Sequence, residues 1–244
     1  MSPEGNLKGY RVKSFLTEIR YPACFRINSG VWTILEEFPP EDFGMLPSGG
    51  ISGRNLKQSM DYVVELNRSH LLVENIEGLS QLDEWIDRVA KQLNRVINLW
   101  QIPTLTRIGV RFHLMADIET GAEKARYAKM IARGVSPLST VADGVSDGGF
   151  AFYFKSGEWN VRFGVFSSDY DVMRKYHKFN SKESVFSQPG IVYDIDCSQI
   201  NLPGYTASGS TTSKMDIKGF LKDAHLLAEG LMRKHVEQLD TSKK

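Results

Sequence analysis

The chain has 244 residues, with 30 Lys and Arg against 29 Asp and Glu and a net charge of +1. Its 41% hydrophobic content is enough to offset the entropy of folding, which excludes extended disorder. The balanced charge excludes bulk attraction to phosphate as its main business. The length allows one large domain or two small ones.

Cys24 and Cys197 stand alone, without a CxxC pair, and read as reduced thiols of a cytosolic protein. Met1–Tyr10 has no basic n-region and no apolar h-region, so it reads as no signal peptide. No apolar run approaches the ~20 residues of a membrane helix. The expectation is a cytoplasmic protein with no cofactor and no membrane segment.

In chain order, Tyr10 to Tyr21 is rich in β-branched and aromatic residues and stops at Pro22, so it predicts a strand. Ser29 precedes a short amphipathic segment, Gly30 to Phe38, which ends at Pro39 and Pro40. Residues 41–59 hold Gly44, Pro47, Gly49, Gly50 and Gly53 and read as a loop. Asp61 to Leu66 and His70 to Asn75 predict a hairpin. Ser80, with Asp83 three residues on, offers a helix cap. Leu82, Trp85, Ile86, Val89, Leu93, Val96, Ile97 and Trp100 then form one apolar stripe, with the charged residues largely opposite.

After Pro103 the pattern restarts. Thr106 to Ala116 predicts a strand, Ala122 to Ala132 a helix, and residues 134–149 a loop. Phe150–Phe154 and Trp159–Phe166 predict a hairpin around Ser156-Gly157, and Gly190–Cys197 a further strand. Residues 201–215 read as a loop. Asp216 caps a last helix with Ile217, Phe220, Leu221, Ala224, Leu227, Ala228, Leu231 and Leu239 on its apolar face, and Asp240–Lys244 should fray. Laid side by side, residues 1–103 and 104–244 predict a duplicated β-α-β-β-α unit, the second half with an extra strand. The expected fold is α+β, with mainly antiparallel sheets and long helices on one face, in one two-part domain.

The strand Arg107-Ile108-Gly109-Val110-Arg111-Phe112 carries the main candidate site. Period-two geometry turns Ile108, Val110 and Phe112 to one side and Arg107, Gly109 and Arg111 to the other. Two guanidiniums flanking a glycine could take a carboxylate or phosphate. The alternative is cross-strand pairing with acids such as Glu18, Glu65 or Glu74. Phe150, Phe152 and Phe154 share a face and read as core, with an RNA-stacking sheet as the competing reading. Asp194 and Asp196, two apart on a strand, could share a hard cation, and Asp169 and Asp171 read as turn residues. Gly49 to Arg54 is glycine-rich but lacks the Lys-[Ser/Thr] of a phosphate loop. His70, His113, His177, His225 and His235 show no close ligand spacing. No catalytic residue and no metal ligand is assigned.

Glu18 to Tyr21, Arg107 to Phe112 and Ala224-His225 together resemble a sporadically distributed, uncharacterised family of prokaryotic proteins, with His113 where the family carries Asn. The resemblance implies a two-part α+β fold and a prokaryotic source, and no mechanism. The first functional reading is a non-enzymatic interaction subunit of a larger assembly, such as a defence system. Its partner is another protein, with self-association as an alternative. The second is a small-anion or nucleotide binder using Arg107, Gly109 and Arg111. The third is an RNA-binding sheet, which the neutral charge disfavours. A metal hydrolase using Asp194 and Asp196 comes last.

Overall fold

The computed structural model describes residues 10–26, 30, 33, 36, 39–55, 60–74, 76, 79–117, 149–167, 190–203 and 215–241. The strands are β1 (Tyr10–Arg20), β2 (Asp42–Met45), β3 (Ile51–Asn55), β4 (Met60–Val64), β5 (Arg68–Glu74), β6 (Thr104–Asp117), β7 (Gly149–Ser156), β8 (Trp159–Ser167) and β9 (Gly190–Pro203). They form one antiparallel sheet in the order β2-β3-β4-β5-β1-β6-β9-β8-β7. Two long helices, α1 (Leu79–Leu99) and α2 (Ile217–Thr241), pack on one face of it.

This corrects the expected duplicated β-α-β-β-α fold. Among the described residues a single nine-stranded antiparallel sheet dominates, and the fold is mainly β. The segment read as a loop, 41–59, contains the hairpin β2–β3. Two of its glycines are there for packing: a Cβ on Gly53 would overlap the Tyr62 ring, and one on Gly50 would overlap the Val64 carbonyl. The helix expected at Ala122–Ala132, the loop expected at 134–149 except Gly149, which begins β7, the Asp169/Asp171 pair and His177 lie outside the described residues. Of the segment Gly30–Phe38, the described residues Gly30, Thr33 and Glu36 are helical. The division near residue 103 falls between α1 and β6, and the sheet crosses it through the β1–β6 pair.

The helix-covered face holds the core. Val12, Phe15 and Ile19 of β1 point into it, and a bulge at Lys13 lets Val12 and Phe15 share that side despite their odd spacing. The Phe15 and Phe112 rings lie 5.9 Å apart, and Phe112 is 5.5 Å from His225 of α2. Trp85 and Trp100 are buried, as their helical spacing predicts. Asp216 caps α2 by accepting the Gly219 N–H at 2.9 Å. α1 starts at Leu79, so Ser80 lies inside it. Its far end closes with Gln101 in the left-handed region, φ 51°, while the Ile102 N–H donates to the Ile97 carbonyl and the Gln101 N–H to the Asn98 carbonyl. The helices lie antiparallel, joined at their exposed edges by Lys218–Asp87 at 2.8 Å and Lys222–Asp83 at 3.6 Å.

Candidate functional site on the open face

The face opposite the helices carries the charged residues. On β6, Ile108, Val110, Phe112 and Leu114 are fully buried, while Arg107, Gly109, Arg111 and His113 alternate onto the open side. Register then sets their neighbours. Glu18 of β1 lies opposite Gly109, Asp196 of β9 opposite Arg111, and Asp194 opposite His113. Arg162 of β8 lies opposite Asp196.

Arg107 Nη1 donates to Glu18 at 2.9 Å and its Nη2 to both Asp196 oxygens at 3.0 Å. Arg111 reaches diagonally to Asp194 through a two-pronged fork, Nε and Nη2 each 2.5 Å from an oxygen. Arg162 adds a third bond to Asp194 at 2.5 Å. Arg20 donates to Glu18 at 2.7 Å. His113 is held by Ser14, at 2.7 Å from its Nδ1, with its Nε2 3.6 Å from Asp194. The structure thus brings Arg107 and Arg111 into one network with Glu18, an acid the strand pattern had named. Gly109 has its own reason to lack a side chain: a Cβ there would sit 2.7 Å from the Arg107 guanidinium, which lies flat across it. Asp194 and Asp196 do share a face, but arginines engage both. Among the described residues no group of three His, Cys, Asp or Glu could hold a metal ion.

Asp194 is 1% exposed. Burial alone pushes its carboxyl up; the Arg111 fork, His113 and Arg162 override that and hold it at about 2. For Asp196 burial wins over Arg107 and Arg111, and its pKa is raised. Burial pushes the Cys197 thiol up to about 12, so this buried free cysteine is unreactive.

On the other flank, β2 to β6 line a concavity of about 560 Å³. Its lining includes Asp42, Phe43, Arg54, Asp61, Leu16, Leu72, His70 and Arg111. Arg54 Nε donates to Asp61 at 3.1 Å. Glu74 of β5 belongs to the same charge cluster: burial, then the Asp61 charge, push its carboxyl up to about 7 against the pull of Arg54. This hollow is not legible in the sequence, because one of its walls, the β2–β3 segment, reads as loop. Arg162 was also overlooked; its signal was the alternation of Val161, Phe163 and Val165 with Arg162 and Gly164.

At the far end of the sheet, β7 pairs only with β8 among the described strands. Phe150 is half-buried, 5.9 Å from His235 and 4.9 Å from Phe152. Phe152 and Phe154 are 55% and 39% exposed, which corrects their expected place in the core. Tyr153, on the other side of the strand, is 79% exposed.

No family model matches the sequence, and no curated protein is significantly similar to it. No described helix is long and apolar enough to cross a membrane.

Proposed function

We propose that this chain is a non-enzymatic interaction subunit of a larger assembly, and that it takes an extended segment of a partner protein along β7. A bacterial defence assembly is the class suggested by the strand-motif resemblance. The observation that carries the reading is the edge itself. β7 runs eight residues, GFAFYFKS, and is the last of the described strands in the sheet order, with large aromatics exposed on both of its sides. Edge strands are normally blunted by charge, proline or a bulge. β7 carries Lys155 as its single charge, has no proline, and pairs with β8 without a register break. Backbone pairing would supply affinity, and side chains docking on Phe152, Tyr153 and Phe154 would supply specificity.

Native mass spectrometry of the chain purified from its own host tests this. The expected result is a stoichiometric protein companion that is lost in the double variant Phe152→Lys/Phe154→Lys. A lone chain, or a companion retained by that variant, overturns the reading.

A further inference from the structure

The register places a single rung of directly opposed residues across the open face: Asp42, Arg54, Asp61, Leu72, Leu16, Arg111, Asp196, Arg162 and Tyr153. Every member is charged except Leu72 and Leu16, which sit together in the middle, and Tyr153 at the end. The first six line the concavity of about 560 Å³. The apolar gap is therefore its floor, extended by Val63. A volume of this order suits a small molecule.

The two ends of that floor differ in charge. Around Arg54 stand Asp42 and Asp61, so among the described residues two acids face one cation there. At the other end Arg20, Arg107, Arg111 and Arg162 face Glu18, Asp194 and Asp196, so cations outnumber the acids. Arg111 commits its Nε and Nη2 to Asp194, and its Nη1 makes no hydrogen bond among the described residues. A polyphosphate would meet Asp42 and Asp61, which opposes the nucleotide reading. A neutral hydrocarbon would strand charges at both ends.

We infer that this concavity binds a small zwitterion with an apolar body: an ammonium toward Asp42 and Asp61, a carboxylate toward Arg111, and methylenes over Leu72, Leu16 and Val63. Free amino-acid-like molecules with separated charges are the matching class. Three strand spacings of ~4.8 Å separate the backbones of Asp61 and Arg111, so both side chains can reach the ends of a chain of several carbons.

The test uses 6-aminohexanoate, hexanoate, hexylamine and ATP, titrated into the full chain by calorimetry, with amide NMR to place the binding. Saturable binding of 6-aminohexanoate is expected, with hexanoate and hexylamine at least ten-fold weaker, because each lacks one charge. Val63→Phe fills the floor without touching an ion pair and should abolish binding while the chain stays folded. Ser52→Lys adds a cation at the acidic end and should bring hexanoate level with 6-aminohexanoate. The inference is overturned by no saturable binding up to about 10 mM, by hexanoate or hexylamine matching the zwitterion on the native chain, by ATP binding more tightly, or by Val63→Phe binding unchanged.

Discussion

Two carboxylates on the same open face have opposite fates. Asp194 is almost wholly buried and ionises more easily than a free aspartate, whereas Glu74 is less buried and resists ionisation up to about 7. Burial pushes both upward. The difference lies in what each side chain faces: Asp194 receives three bonds from Arg111 and Arg162, while Glu74 shares Arg54 with Asp61. Among the described residues, one flank of the sheet is thus an ionic lattice, and the other is a hollow in which Arg54 faces Asp42, Asp61 and Glu74. Local cation count, not depth, decides whether a buried acid stabilises this sheet.

The largest effect that could break this comparison comes from the aspartates themselves. Asp194→Asn leaves two part-buried guanidiniums facing a neutral amide and should cost about 3 kcal/mol in urea unfolding at neutral pH. Asp61→Asn should change stability by less than about 1 kcal/mol, because Asp42 and Glu74 remain near Arg54 and repulsion within the acid group is relieved. Equal costs for the two variants would show that the flanks do not differ in this way.

A glycine pair probes the same contrast through packing. Gly53 lies beneath the rigid ring of buried Tyr62, so Gly53→Ala should cost about 2 kcal/mol. Gly109 lies beneath the far end of Arg107, a flexible side chain that can lift away and give up its bonds to Glu18 and Asp196. Gly109→Ala should therefore cost about 1 kcal/mol, and the Tm difference between the two alanine variants reads which backbone approach is rigid.

Elements with a strong period were legible in the sequence. The stripe from Leu82 to Trp100 and the alternation from Arg107 to Phe112 each named their buried side correctly. The β2–β3 hairpin was hidden because glycines that serve a close approach look the same, in one dimension, as glycines that make turns. Phe152 and Phe154 failed for a different reason. Their alternation marks a side of the strand, but whether a helix reaches far enough to cover that side depends on the width of the sheet. The rung from Asp42 to Tyr153 draws one residue from each strand, so its apolar gap exists only once every register is set. Glu18, by contrast, could be named as a partner for Arg107, since an acid on a predicted strand is a natural cross-strand candidate.

Acid and base sharpen the comparison in a different way. The folded-state pKa of Asp194, about 2, lies below its ordinary 3.8, so its stabilisation is complete above 3.8 and is lost as pH falls through about 2. For a side chain this buried, that is worth about 2 kcal/mol. Glu74 runs the other way. Its folded-state value of about 7 lies above the ordinary 4.5, so its contribution is complete below 4.5 and is lost as pH rises through about 7. The two groups together place their joint optimum between 3.8 and 4.5. Glu74→Gln keeps the shape and fixes the neutral form. It should raise Tm at pH 8, leave Tm at pH 4.5 unchanged, and leave the acid limb set by Asp194 where it was. A Glu74→Gln variant that loses stability at pH 8 would mean that the ionised carboxylate is held there by a cation, and burial would no longer account for its chemistry.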